Sequence, residues 1–231
     1  MTPSAQLPLP LQLRDASSFA SWEAGDNQPI VDGLRGLARA RKGQLFLWGQ
    51  PGSGRSHLLE AVVREALDRH EQVSMLAGTE LPDLPPSLLE GLEHADWLVI
   101  DDLDQVAGLA DWEEGLFHLY NRCLSAGVAM VFAASGPPAE LGVRLPDLAS
   151  RLAAGPVYRI QPLADADLEN LLVRRARGRG LEVSADVARF VVARCGRSPA
   201  ALMACLANLD RAALASQRRL TIPFVKQASG W

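Results

Sequence analysis

Residues 45–58 read Leu-Phe-Leu-Trp-Gly-Gln-Pro-Gly-Ser-Gly-Arg-Ser-His-Leu, an apolar run that breaks into a glycine-rich turn and resumes as helix-forming sequence. From Gly49 to Ser56 the turn follows the spacing G-x-x-x-x-G-K-[ST] at every position but one, where Arg55 stands in place of lysine. Gly49, Gly52 and Gly54 let the backbone take φ > 0 and bring N–H groups close to an anion. The helix that follows turns its positive end toward the same anion. The candidate nucleotide-binding set is therefore Gly49, Gln50, Pro51, Gly52, Ser53, Gly54, Arg55, Ser56 and His57. Ser56 can place its hydroxyl on a Mg²⁺ that bridges the β- and γ-phosphates. Arg55 keeps the positive charge, but a forked, planar guanidinium does not replace a compact ammonium. The backbone cradle is expected to survive and the β/γ contact to change. The competing reading is a plain strand-to-helix turn with no ligand.

A second acidic element supports the first. Trp97-Leu98-Val99-Ile100-Asp101-Asp102 is an apolar strand ending in two carboxylates. Asp101 is the candidate to hold magnesium together with Ser56. Asp102 is placed to orient or deprotonate an attacking water. Asp104 lies close by, so the alternative is an acidic loop at a strand end. The distance of about forty residues from the phosphate loop favours the pairing.

The rest of the chain fits an α/β order. Strands are predicted at 45–48, 72–76, 97–100, 128–134 and 157–160, with helices at 56–68, 87–92 and 112–125 between them. In the last of these helices Trp112, Leu116, Leu119, Tyr120 and Cys123 fall on one face. Strands alternating with helices imply a parallel sheet wrapped by helices. After Pro162 the period becomes helical throughout. A helix is predicted over 165–179 ending at Gly180, another capped by Ser184, and a third capped by Ser198 with Pro199 at its first position. Residues 1–14 carry Pro3, Pro8 and Pro10 and read as an extended tail. The organisation is a tail at 1–14, an α/β core at 15–162 and a small all-helical lid at 163–231.

Charge is divided unevenly. Residues 1–150 hold 10 basic and 21 acidic side chains, whereas residues 151–231 hold 13 basic and 6 acidic. A net charge of −4 argues against a surface covered in nucleic-acid contacts. The asymmetry suits a basic lid over a nucleotide, or head-to-tail contact between an acidic body and a basic lid. Cys123, Cys195 and Cys205 have no metal-like spacing and read as buried thiols in a reducing cytoplasm. No apolar run of about 18 residues is present, so no membrane span is expected. The N-terminus lacks the pattern of a secretory signal.

The chain resembles the AAA+ ATPases and, within them, the DnaA family in its shorter Hda subfamily. The residues that carry this are Gly-Ser-Gly-Arg-Ser-His-Leu-Leu (52–59), Leu-Val-Ile-Asp-Asp-Leu (98–103), Pro-Pro-Ala-Glu-Leu (137–141) and Leu-Pro-Asp-Leu-Ala-Ser-Arg-Leu (145–152). At the two ends they are Gln-Leu-Pro-Leu-Pro-Leu (6–11) and Gln-Arg-Arg-Leu-Thr-Ile-Pro-Phe-Val-Lys (217–226). The helix-turn-helix DNA-binding domain of the initiator is not expected here, since the sequence stops at Trp231.

The resemblance implies an AAA+ core with a helical lid, and a negative regulator of replication initiation. It implies that Gln6, Leu7, Leu9 and Leu11 dock on the DNA polymerase III β sliding clamp. Each buried leucine is worth about 1.5–3 kcal/mol, so such docking is micromolar at best. It implies that Arg151 is an arginine finger supplied in trans to ATP held by DnaA; read without the family, Asp147 and Arg151 make a local helix ion pair. DNA is expected to be met only through the clamp, self-association is expected, and a membrane is not. The bound cofactor is expected to be ADP or ATP with Mg²⁺. At the sensor positions Ser135 replaces the usual Asp, and Ala200 stands where the lid arginine belongs, with Arg197 three residues off. With Arg55 these changes predict weak or no ATPase of the chain's own. The segment Asp15, Phe19, Trp22 is implied as a wall near the adenine. Two other functions stay open: a helicase-loader-like ATPase that binds single-stranded DNA through Arg174, Arg175, Arg177 and Arg179, and an adaptor with no catalytic group.

Overall fold

The computed structural model describes residues 17–231. Gln6, Leu7, Leu9, Leu11 and Asp15 lie outside the described residues. Among the described residues five strands form one sheet: β1 (Gly43–Trp48), β2 (Val73–Ala77), β3 (Trp97–Asp101), β4 (Ala129–Ala134) and β5 (Val157–Arg159). Their order is β2-β3-β4-β1-β5, and the pairs β2/β3, β3/β4 and β1/β4 are parallel. Every residue of β3 and β4 is buried. Parallel strands covered on both faces read as unbroken apolar runs rather than alternating ones, which is why they stood out in the sequence. The expected parallel sheet wrapped by helices is what the chain forms.

Register places the functional ends together. Trp48 lies opposite Ala134, Ile100 opposite Phe132, and Ala77 opposite Asp101. The carboxyl ends of β1, β2, β3 and β4 therefore share one edge, where open parallel sheets collect their ligands.

Among the described residues eight α-helices lie before, between and after the strands: α1 (Gln28–Ala40), α2 (Arg55–Asp68), α3 (Ala110–Ala126), α4 (Pro146–Leu152), α5 (Asp165–Arg177), α6 (Ala185–Val192), α7 (Pro199–Ser216) and α8 (Ile222–Ser229). On α3 the predicted stripe of Trp112, Leu116, Leu119, Tyr120 and Cys123 is buried. α1 buries Ile30, Val31, Leu34 and Leu37 at helical spacing, and the sequence reading gave it no helix. The helix predicted at 87–92 forms instead as two short 3-10 turns, Pro86–Leu89 and Leu92–His94. Gly91 takes a φ of 81° between them, a left-handed kink that an α-helix does not accommodate. The helix predicted to reach 179 ends at Arg177, just before the left-handed Gly180.

Contacts group the chain into two units. The first holds the described residues up to Trp22, Gly33–Trp48 and Ser56–Tyr158; the second holds Glu23–Asp32, Gly49–Arg55 and Arg159–Trp231. The core of the first unit is built on Phe46, Leu98, Ile100, Trp112, Leu119, Phe132 and their neighbours. The second unit has its own core, in which Leu168, Leu172, Val191, Leu202, Leu206 and Val225 are buried together. Its helices start as predicted: the Ser184 hydroxyl accepts the Val187 N–H at 3.4 Å and that of Ser198 accepts the Ala201 N–H at 3.2 Å. Asn27 exchanges two hydrogen bonds with the Gln161 backbone at 3.0 and 2.6 Å, which ties segment 23–32 into this unit.

The three cysteines are free thiols, Cys123 buried as expected but Cys195 and Cys205 only half-buried. Burial pushes the Cys123 thiol up to about 11, and burial with the adjacent Cys205 pushes Cys195 to about 12, so neither offers a thiolate near neutral pH. No helix among the described residues is long and apolar enough to cross a membrane.

Candidate nucleotide site and the Arg151 helix

In the second unit, the phosphate loop has the backbone its glycines predicted. Gly52 and Gly54 take φ of 80° and 99°. A Cβ at Gly49 would lie 2.8 Å from the Ser53 hydroxyl and 3.1 Å from Ile160 Cβ, so the loop is packed tightly there. Ser53 Oγ itself is buried with no hydrogen-bond partner, a polar atom aimed inward from the loop. The tip of the loop meets the start of α7. The Ala200 N–H donates to the Gly52 carbonyl at 3.4 Å, and a Cβ at Gly52 would lie 3.2 Å from both the Ala200 methyl and the Ser198 hydroxyl. The sensor position at Ala200 thus comes beside the loop carrying only a methyl. Arg197 does not take its place, because its exposed guanidinium pairs with Asp165 at 3.3 Å. Gln50, Pro51 and the half-buried Arg55 complete the loop.

In the first unit, α2 and β3 bring Ser56 to Asp101. The Ser56 hydroxyl donates to Asp101 Oδ2 at 2.6 Å, and Asp101 is buried. These two oxygens are the pair that would hold a Mg²⁺ brought in with a nucleotide, which would there neutralise phosphate charge. Among the described residues no cluster of three or more His, Cys, Asp or Glu could hold a metal without a nucleotide. Asp102 sits half-buried in the left-handed region, with φ and ψ both 45°. The backbone of Asp102 presses on Gly78, leaving no space for any side chain there.

Ser135 follows β4, and both its amide and its hydroxyl donate to the Asp104 carboxylate, at 2.9 and 3.0 Å. Burial pushes the Asp104 carboxyl up, but the two Ser135 bonds together with those from its own backbone and Gln105 outweigh it and hold the group below its ordinary value. The serine at this sensor position is thus held by Asp104, a residue the sequence reading treated only as part of an acidic loop.

His57 points to the segment that precedes α1. Its Nε2 lies 3.1 Å from the Ser18 carbonyl and 3.3 Å from the Ser21 hydroxyl, and its ring centroid is 5.4 Å from that of Trp22. Toward a carbonyl Nε2 can act only as donor. Phe19 lies under the Arg35 guanidinium at 5.4 Å.

Arg151 is exposed on α4. Its guanidinium stands 5.7 Å from the centroid of the Tyr120 ring. Among the described residues no carboxylate forms an ion pair with it, so the Asp147 pair open to sequence reasoning is not made. Of the basic run at 174–179, Arg174 on α5 pairs with Glu23 at 3.0 Å, and Arg179, just past its end, pairs with Asp210 at 3.6 Å. Two residues that matter to α4 escaped the sequence reading. Glu113 had a signal, an acid lying on the apolar stripe of α3 three residues before Leu116 and seven before Tyr120. Gln44, inside an apolar strand, had none.

Comparison with known proteins agrees with this architecture. Residues 165–228 match the family model described as the lid domain of Hda. Domain III of the replication initiation protein DnaA from Thermotoga maritima has a TM-score of 0.84 at 20% identity, over 94% of this chain and 96% of that one. AMPPCP-bound DnaA from Aquifex aeolicus aligns with a TM-score of 0.74 at 18% identity, over 85% of this chain and 65% of that one. The Holliday junction branch migration motor RuvB of Thermotoga maritima aligns with a TM-score of 0.72 at 16% identity, over 93% and 71%. The chain shares its fold with domain III of DnaA, and its residues 165–228 match the lid domain of Hda.

Proposed function

We propose that this protein is a DnaA-related negative regulator of replication initiation. Docked through Gln6, Leu7, Leu9 and Leu11 on the sliding clamp loaded on DNA, it packs against ATP-bound DnaA and supplies Arg151 in trans. The observation that carries this reading is the state of Arg151: exposed, on a short held helix, and paired with no carboxylate among the described residues. A guanidinium brought to a transferring γ-phosphoryl group neutralises charge that builds in the transition state, and is worth about 10³–10⁵ in rate.

The chain's own nucleotide serves as a conformational latch. Loop 49–56 and the N-terminus of α2 take the phosphates, and Ser56 and Asp101 take Mg²⁺. The Hda-type lid and the solved complexes of DnaA with AMPPCP support a nucleotide in this fold. Three departures lower turnover on this chain: a guanidinium at Arg55, Ser135 committed to Asp104, and a methyl at Ala200. With Asp102 beside a weakened γ-phosphate contact, ADP is the favoured occupant. The uneven charge of the two parts of the chain supports head-to-tail self-association.

The test is hydrolysis of labelled ATP on DnaA with clamp loaded on DNA. Full-length protein should stimulate it, whereas protein without residues 1–14 and the R151A variant should not. Stimulation that survives removal of 1–14 would refute clamp docking, and stimulation by R151A would refute the finger.

A further inference from the structure

The helix that presents Arg151 is gripped at both ends by buried polar side chains that have no part in the phosphate-loop chemistry. α4 has seven residues, too few to hold its own position, and its N-cap residue Leu145 has no capping side chain. Glu113 on α3, only 2% exposed, fills that role from outside. Its carboxylate accepts the Gly108 N–H at 2.6 Å, the Arg144 N–H at 3.0 Å on each oxygen, and the Leu145 N–H at 2.7 Å. At the other end Gln44 on β1, 9% exposed, donates from Nε2 to the Arg151 carbonyl at 2.7 Å and lies 3.5 Å from that of Leu152. Gly155 has no room for a side chain because Gln44 fills the space. Leu148 and Leu152 anchor the buried face of α4, and the buried ring of Tyr120 lies under the guanidinium.

We infer that Glu113 and Gln44 are positioning residues for Arg151, fixing the entry and exit of α4 so that the guanidinium is delivered already aimed. The inference rests on Arg151 acting in trans as proposed above. A purely structural role fits Gln44 poorly. Its Oε1 is buried with no hydrogen-bond partner, so a leucine would fill the site without leaving an unsatisfied acceptor. What the amide adds is its hold on the α4 carbonyls. Misplacing a catalytic group by 1 Å costs on the order of 100-fold in rate, whereas its docking energy barely changes.

Full-length parent, R151A, Q44L and E113Q are compared with ATP-loaded DnaA and clamp on DNA. Q44L should lower the maximal stimulated rate about tenfold, a fraction of the full misplacement effect. Its half-maximal concentration and thermal unfolding midpoint should stay with the parent. E113Q should show the same fall, together with faster amide exchange at Arg144 and Leu145. If R151A is inactive and Q44L keeps the parent's maximal rate, the positioning role is overturned while the finger stands. If Q44L changes only the half-maximal concentration, it reports docking and not aim, and the positioning role is again overturned. If R151A stimulates like the parent, the finger fails and this inference falls with it.

Discussion

The phosphate loop and the Arg151 helix are held by different means. The loop relies on backbone: glycines at positive φ, a helix N-terminus, and a carbonyl that meets α7. The side chains expected to reach a γ-phosphate, Arg55, Ser135 and Ala200, are the part that departs from pattern. The Arg151 helix relies on side chains from other elements, Glu113 and Gln44, and ends in an unpaired guanidinium among the described residues. This contrast is what the proposed function asks for: weak hydrolysis at the chain's own loop and a guanidinium presented to another protein's nucleotide. The general lesson is that backbone cradles bind phosphate in any nucleotide state, whereas charged side chains at fixed angles decide whether a phosphoryl group reacts.

The comparison breaks most sharply at Arg151. R151A should lower stimulated hydrolysis on DnaA about 10³-fold or more, with nucleotide binding to this chain's own loop unchanged in equilibrium titration. The next effect is on stability. E113A leaves buried N–H groups without an acceptor and should cost about 3 kcal/mol in urea unfolding. Acid provides a gentler version of the same test. Burial pushes the Glu113 carboxyl up, but the amides of Arg144, Gly108 and Leu145, together with the Arg144 charge, outweigh it and hold the group below its ordinary value. A depressed carboxylate stabilises the fold above its unfolded pKa, and that stability is lost as pH falls through the folded one. The parent's urea midpoint should therefore fall with pH below about 4.5, and that of E113Q should fall less steeply.

At the loop, smaller changes sharpen the contrast. D101N removes the charge that pairs with Ser56 and with Mg²⁺, and should weaken Mg²⁺-dependent nucleotide binding about 10- to 100-fold, read by titration with and without the metal. R55K restores the compact ammonium at one of the three altered positions. Because Ala200 and Ser135 remain, it should raise the chain's own ATP turnover by less than about tenfold in a steady-state assay. A larger gain would place the block at Arg55 alone.

Local sequence determined much of this protein. Strand runs, the loop glycines, the Ser184 and Ser198 caps and the apolar face of α3 were legible because each depends on spacing along one segment. Asp101 and Ser56 were legible as a pair because an acidic strand end about forty residues after a glycine-rich loop is the pattern of a magnesium-nucleotide site. The N-terminal helix α1 was legible in the Gly25-Asp26-Asn27 turn, Pro29 and the spacing of Ile30, Val31, Leu34 and Leu37, yet was missed, and the 87–92 helix failed because a left-handed glycine at Gly91 overrode its apolar pattern. The grip of Glu113 on Arg144 and Leu145, of Gln44 on Arg151, and of Asp104 on Ser135 spans 31 to 107 residues. These contacts were decided only by the tertiary structure. A buried polar group must find its partner wherever the packed chain puts one, and no periodicity along the sequence records that choice.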